Sequence, residues 1–390
     1  MKYPLMKNNI TRNDLDNVIK FLKKNDPILT QSTNVKKFEN LWSKWLGVKY
    51  SVFVNSGSSA NLMTIRYLNH LYPKGGEIIT SPFNWTSDIT SILFNGFKPV
   101  FVDINMKNLS ADNDLILKNI SSKTKAVLLT HAQGFNGLSK KLLNELKKRK
   151  IHLIEDVCES HGASFSNKKL GSFGLISNFS FYYAHHMSTI EGGMICTNSK
   201  DIFNFMKSIR SHGILREVED ENFKKKFFEN HKDLNKDFIF PFAGFNMRNN
   251  EIGGVLGISQ LKNIDKNIKL RQRNFQYFLR LINKESFYTD FDLKGSSNYA
   301  FNLILKNPNA DKFRKLCSNL SNNGIEFRIG SVGGGNQLRQ PYLKKLFNLN
   351  YIQKFKNVEH MHFFSLYIGN YPSLKLSDIK YITKIINSSN

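Results

Sequence analysis

Seven short runs of apolar, β-branched or aromatic residues punctuate the first half of the chain, at 50–55, 77–82, 98–104, 124–131, 151–157, 176–182 and 193–198. Helix-like segments at 59–70, 86–95 and 138–149 separate most of them. Strands alternating with helices predict an α/β fold with a largely parallel sheet covered on both faces. The last two runs are joined too tightly for a helical crossover, so one of them is expected to run antiparallel.

Beyond about residue 265 the pattern changes. A long charged helix at 263–284 leads to a strand-like run at 299–306, a helix at 310–322, a strand at 325–329 and a closing helix at 377–387. The expected organisation is a large domain over 1–265, including an N-terminal segment, and a smaller C-terminal α+β domain over 266–390. Residues 218–236 are charged and poor in aliphatics, and read as an exposed excursion. There is no internal repeat and no heptad pattern.

Composition narrows the class. The hydrophobic fraction of 41% over 390 residues is ample for a buried core, and no apolar run approaches a membrane span. The first residues lack the apolar stretch of a signal peptide. Three cysteines, Cys158, Cys196 and Cys317, lack metal-ligand spacing. Together these predict a reducing, cytoplasmic setting with no membrane partner and no metal. The net charge of +25 invites a nucleic-acid partner, but the lysines are spread through amphipathic helices such as 140–150. Solvated basic faces explain the charge without nucleic acid, and some of it would favour a diphosphate-bearing substrate.

Four segments carry candidate chemistry. In Asn55-Ser-Gly-Ser-Ser-Ala-Asn61 a strand gives way to a helix through small residues, which suits either an anion at a helix N-terminus or an ordinary cap. In Ile154-Glu-Asp-Val-Cys-Glu-Ser-His-Gly162 an acid stands at the C-terminal end of a buried strand, where open α/β sheets bind ligands. It would hold a pyridine nitrogen protonated, or merely cap a helix. Trp85, in Pro82-Phe-Asn-Trp-Thr-Ser87, is a stacking surface or a core residue. In the fourth, residues 244–261, a polar head precedes a glycine-rich apolar helix.

The order and spacing of these segments resemble the DegT/DnrJ/EryC/StrS family of nucleotide-sugar aminotransferases over nearly the whole chain. The similarity takes in Leu29-Thr-Gln-Ser-Thr-Asn-Val-Lys-Lys-Phe-Glu39 and Arg210-Ser-His-Gly213 as well. It implies the type I fold of pyridoxal-phosphate enzymes, with a seven-stranded, mostly parallel sheet. It also implies roles: Gly57 and Ser58 give backbone N–H groups to the cofactor phosphate, Trp85 stacks on the ring, and Asp156 pairs with the ring nitrogen. Ser180 binds the phosphate, Glu159 replaces a glutamine near the ring hydroxyl, and Asn246 reaches the phosphate of a neighbouring subunit in a homodimer with shared active sites.

Ser180-Phe-Tyr-Tyr-Ala-His-His-Met-Ser-Thr-Ile-Glu-Gly-Gly193 departs from the aminotransferases of that family. Its Schiff-base lysine stands six residues before the Glu-Gly-Gly, where this chain has His185, and there is no lysine between 171 and 199. Within the family, lysine gives way to histidine in sugar 3-dehydratases, which hold pyridoxal or pyridoxamine phosphate noncovalently. The resemblance therefore implies removal of the C3 hydroxyl of a nucleotide-linked 4-keto-6-deoxy sugar, with L-glutamate recharging the cofactor. Histidine, with an ordinary pKa near ~6.5 against ~10.4 for lysine, is a competent base at neutral pH and forms no stable imine.

His186, His212, Arg248, Asn336 and Arg339 are candidate substrate contacts. If the segment is extended, His185 and His186 point to opposite faces. A cluster-dependent dehydratase type takes four cysteine ligands, and three separated cysteines argue against it. The glycine-rich Arg328-Ile-Gly-Ser-Val-Gly-Gly-Gly335 is either a flexible connection or a backbone cradle for sugar or diphosphate. An aminotransferase with an unorthodox base and a non-catalytic cofactor-binding regulator are the alternatives.

Overall fold

The computed structural model describes residues 1–389. Seven strands build the main sheet: β1 (Tyr50–Val54), β2 (Glu77–Thr80), β3 (Lys98–Phe101), β4 (Thr124–Thr130), β5 (His152–Asp156), β6 (Ile176–Ser180) and β7 (Gly193–Thr197). Their spatial order is β1-β7-β6-β5-β4-β2-β3. β7 is antiparallel to both of its neighbours, β1 and β6, and the remaining pairings are parallel. The tight β6–β7 connection, residues 181–192, is the segment that carries His185.

Alternation along each strand divides its side chains between two cores. Val52, Val54, Ala126, Leu128 and Ile154 face one layer of helices. Phe53, Val127, Leu129 and Leu153 face the other, where Phe38 and Trp42 of the helix Thr33–Leu46 pack. Each such fully buried side chain contributes about 1.5–3 kcal/mol.

Three of the family-like segments meet behind β1. Buried Glu39 accepts from the Phe53 N–H at 2.8 Å and from Arg210 Nη1 at 2.6 Å, and the same Nη1 donates to the Phe53 carbonyl at 2.9 Å. Arg210 is therefore a tie between a helix end and the edge strand. Glu251 accepts from the backbone N–H groups of Ser32, Asn34 and Val35 at 2.8–2.9 Å, so a carboxylate caps the positive end of the Thr33–Leu46 helix.

A second sheet joins β8 (Ala300–Ile304), β9 (Phe327–Ile329) and β10 (Ser365–Gly369) in the antiparallel order β8-β10-β9. The sequence pattern did not flag β10, which is buried at every position and lacks the period-two signal. The helix Ile264–Leu281 gives Ile264 and Ile268 to a core of the main sheet, and Phe275 and Phe278 to the core under the small one. The N-terminal residues run along the small sheet: Tyr3 bridges Ile325, and Leu5 packs with Tyr299 and Tyr367. The helix Glu221–Asn230, inside the charged stretch, buries none of its residues. Among the described residues, no helix is long and apolar enough to cross a membrane.

Candidate active site

A cavity opens at the C-terminal ends of β5 and β6, between the main sheet and the small one. Its floor begins where β1 turns into a helix. Ser56 caps the helix Gly57–Leu71, its Oγ accepting from the Ser59 N–H at 3.1 Å. The N–H groups of Gly57 and Ser58 lie in the first turn, where no intrahelical acceptor exists, and the helix end favours an anion. A Cβ on Gly57 would sit 2.6 Å from Ser180 Cβ and 3.2 Å from Cys158 Sγ. Glycine is thus a steric requirement, and it brings the Ser180 hydroxyl beside the helix N-terminus.

Period two also decides which acid of Glu155-Asp156 serves the cavity. Glu155 turns away and accepts from the N–H groups of Gly171, Phe173 and Gly174 at 2.7–2.9 Å. Asp156 faces the cavity, accepting from the Cys158 N–H at 2.9 Å and from Asn61 Nδ2 at 3.0 Å. Trp85, 52% exposed, leans over the same space. Glu159 lines it too, accepting from the Gln133 N–H at 2.9 Å and Gln133 Nε2 at 3.2 Å. Burial pushes its carboxyl up to about 7, against the opposing Gln133 hydrogen bonds, with the Asp156 charge adding to the rise.

His185 and His186 part company. The His185 ring lines the cavity, and its Nδ1 has no hydrogen-bond partner among the described residues. Burial holds its pKa down to about 4, with Asp156 opposing the drop and Arg271 reinforcing it. The imidazole is therefore neutral at pH 7. His186 is fully buried: Nε2 meets the Ser297 carbonyl at 3.2 Å, and Nδ1 meets His161 Nδ1 at 3.4 Å. His161 is equally buried, and burial lowers the pKa of both well below the ordinary histidine value.

The small sheet supplies the facing wall through Arg328, Ile329 and Tyr367, and the loop after β9 adds Ser331, Gly333 and Gly334. Gly333 has φ +56, and a Cβ there would lie 2.3 Å from the Asn84 carbonyl oxygen. Gly334, at φ +78, has open space instead. The loop is therefore seated against the Pro82–Ser87 segment, with one glycine demanded by contact and the next by backbone conformation alone.

The structure does not bring all the sequence candidates together. Asn336 Nδ2 and Arg339 Nε both donate to Glu359 Oε1, at 2.7 and 2.8 Å, and neither side chain lines the cavity. In this chain one carboxylate, Glu359, engages both side chains. His212, Asn246 and Arg248 are exposed and also stand outside the cavity of their own chain, with Arg248 Nε donating to Asn246 Oδ1 at 3.2 Å.

Other residues also line the cavity: Asn61, Asp88 and Thr130 under Asp156, and Tyr299, Arg328 and Tyr367 opposite; of these, Asn61 and Arg328 lie in segments the sequence had singled out. Asn61 and Asp88 sit a turn or less into helices whose first residues were flagged, so helical periodicity from Gly57 and Trp85 was the available clue.

Among the described residues lining the cavity there is no lysine. A family model for the DegT/DnrJ/EryC1/StrS aminotransferase family matches residues 8–387. The chain belongs to this family. It is 32% identical over 365 residues to the GDP-4-keto-6-deoxy-D-mannose 3-dehydratase of Escherichia coli O55:H7, covering 92% of this chain and 93% of that one. A solved structure of the E. coli 3-dehydratase with bound hydrated pyridoxal phosphate superposes with a TM-score of 0.87 at 30% identity, covering 98% of this chain and 99% of that one. Another 3-dehydratase structure, with a trapped pyridoxal phosphate–glutamate geminal diamine, gives a TM-score of 0.85 at 30% identity over 98% and 100% of the two chains. The architecture is thus that of pyridoxal-phosphate enzymes of this family, with a mostly parallel seven-stranded sheet and a small antiparallel one, as the sequence implied.

Proposed function

We propose that the protein is a pyridoxal/pyridoxamine-phosphate-dependent 3-dehydratase that removes the C3 hydroxyl of a nucleotide-linked 4-keto-6-deoxyhexose, with L-glutamate as amino donor. The observation that carries this reading is the neutral, unpartnered His185 imidazole in a cavity without lysine. The cavity suits the cofactor in its own right: a helix N-terminus kept open by Gly57, a hydroxyl from Ser180, an indole face from Trp85 and a buried carboxylate from Asp156. The GDP-linked substrate named for the relatives makes GDP the first nucleotide to test, and another relative, a lipopolysaccharide biosynthesis protein, supports a role in deoxysugar assembly.

When bound, the cofactor supplies an amine for the C4 ketone and a ring that accepts electrons. The chain does the rest. Gly57, Ser58 and Ser180 would hold the phosphate end, and Asp156 would keep the ring nitrogen protonated. His185 would serve as the base beside the bound cofactor and would deliver a proton to the departing C3 hydroxyl, which leaves as water. A histidine performs both transfers without tethering the cofactor, so the amine remains available to the sugar. His212, Asn246 and Arg248, exposed in one chain, are suited to complete the site of a second copy in a homodimer.

The test is incubation with glutamate and GDP-, CDP-, UDP- and dTDP-linked 4-keto-6-deoxyhexoses, followed by mass spectrometry. The expected product is a deoxygenated ketosugar with released ammonia. A sugar that gains an amino group would instead establish an aminotransferase.

A further inference from the structure

Asp156 is not the only carboxyl under the cavity. Asp88, on the helix Thr86–Phe94, is fully buried beneath Asp156. One amide bridges the two: Asn61 Nδ2 donates to Asp156 Oδ2 at 3.0 Å and to Asp88 Oδ1 at 2.5 Å. Asn61 is itself held, its Oδ1 accepting from Asn178 Nδ2 at 2.8 Å, while Asn178 Oδ1 accepts from Thr64 at 2.8 Å. Thr130 Oγ1 lies 3.1 Å from Asp88 Oδ2.

We propose that Asp88 is a positioning residue for Asp156, a second buried acid that, through the shared Asn61 amide, clamps the Asp156 carboxylate in the orientation that meets the cofactor ring nitrogen. This rests on the cofactor-binding reading of the cavity.

The argument is one of charge and donors. Two ionised carboxylates in contact and shielded from water repel strongly, so one of them keeps a proton. Asp156 borders the cavity and receives two N–H donors, from Cys158 and Asn61. Asp88 lies fully buried in the floor of the same cavity, accepts from Asn61 Nδ2 and Thr130 Oγ1, and has no cation against it among the described residues. Burial, and then the Asp156 charge, push the Asp88 carboxyl well above the usual carboxylate range, and Glu159 adds to this more weakly. A protonated Asp88 leaves a single negative charge for the ring nitrogen to face. Nothing in the pairing of Asp156 with a pyridine requires this second acid. The shared amide makes the two carboxyls one unit.

Asp88→Asn preserves the shape and supplies an N–H where the acid had a proton. Asp88→Ala removes the clamp. Each is loaded with pyridoxal phosphate labelled with 15N in the ring, and affinity and the 15N chemical shift are measured, with circular dichroism melting to confirm folding. Asp88→Asn should match the wild type in both. Asp88→Ala should bind the cofactor about tenfold or more weaker and shift the 15N signal toward unprotonated pyridine. An Asp88→Ala protein with wild-type affinity and shift would overturn the clamp. So would an Asp88→Asn protein whose shift moves although it folds, since Asp88 would then be acting as an anion. If wild-type protein fails to bind the cofactor at all, the cofactor reading itself fails, which is a separate result.

Discussion

His185 and His186 are adjacent in the chain and serve opposite sides of it: one ring lines the cavity, and the other is sealed between the Ser297 carbonyl and His161. Replacing each by asparagine should therefore separate chemistry from stability. His185→Asn should lower kcat by about 10²–10⁴-fold, the usual contribution of a positioned acid–base group, with cofactor affinity nearly unchanged. His186→Asn should lower the melting temperature, because a buried carbonyl and a buried imidazole lose their partner. Turnover assays beside thermal melts check both.

Gly57→Ala tests the phosphate end. The new Cβ would press on Ser180 Cβ at 2.6 Å and force the helix start away from β6. Cofactor affinity should fall by about tenfold or more, consistent with losing one or two charge-assisted N–H contacts. Fluorescence titration with pyridoxal phosphate measures it.

The glycine-rich loop offers an internal control. Ala at 334 meets open space and carries only the left-handed backbone cost of about 1–2 kcal/mol, whereas Ala at 333 also collides with the Asn84 carbonyl. Gly333→Ala should therefore destabilise more than Gly334→Ala and raise KM for the sugar, because the loop is driven off its seat beside Trp85. Denaturant melts and steady-state kinetics separate the two effects.

Glu159 has a pH signature. Its carboxyl is raised from an ordinary value of 4.5 to about 7, chiefly by burial, so the folded cofactor-free protein holds a proton that the unfolded chain releases. The stability linked to it is fully present below about 4.5 and is lost as pH rises through about 7. Glu159→Gln carries no such proton. Plotted against pH, the difference in unfolding free energy between wild type and variant should change between these two values and be flat outside them.

Much of this was legible in the sequence because it rests on local rules. Short apolar, β-branched or aromatic runs between helix-like segments gave the strands of the main sheet. Small residues after β1 marked the helix N-terminus, and the tight β6–β7 connection marked the antiparallel strand. What stayed hidden depends on contacts between distant segments. β10 is buried on both faces and carries no alternation. The Glu359 carboxylate that engages Asn336 and Arg339 lies about twenty residues on, beyond any local spacing rule. Asp88 gains its meaning only when the Thr86–Phe94 helix is set against Asn61 and β5.

The central claim is that this family member holds an aldehyde cofactor without a lysine tether. Protein loaded with pyridoxal phosphate should be treated with borohydride, digested, and its peptides weighed. The account predicts no lysine carrying the cofactor mass, and release of the reduced cofactor on denaturation. A lysine peptide labelled with the reduced cofactor, from any part of the chain, would contradict it.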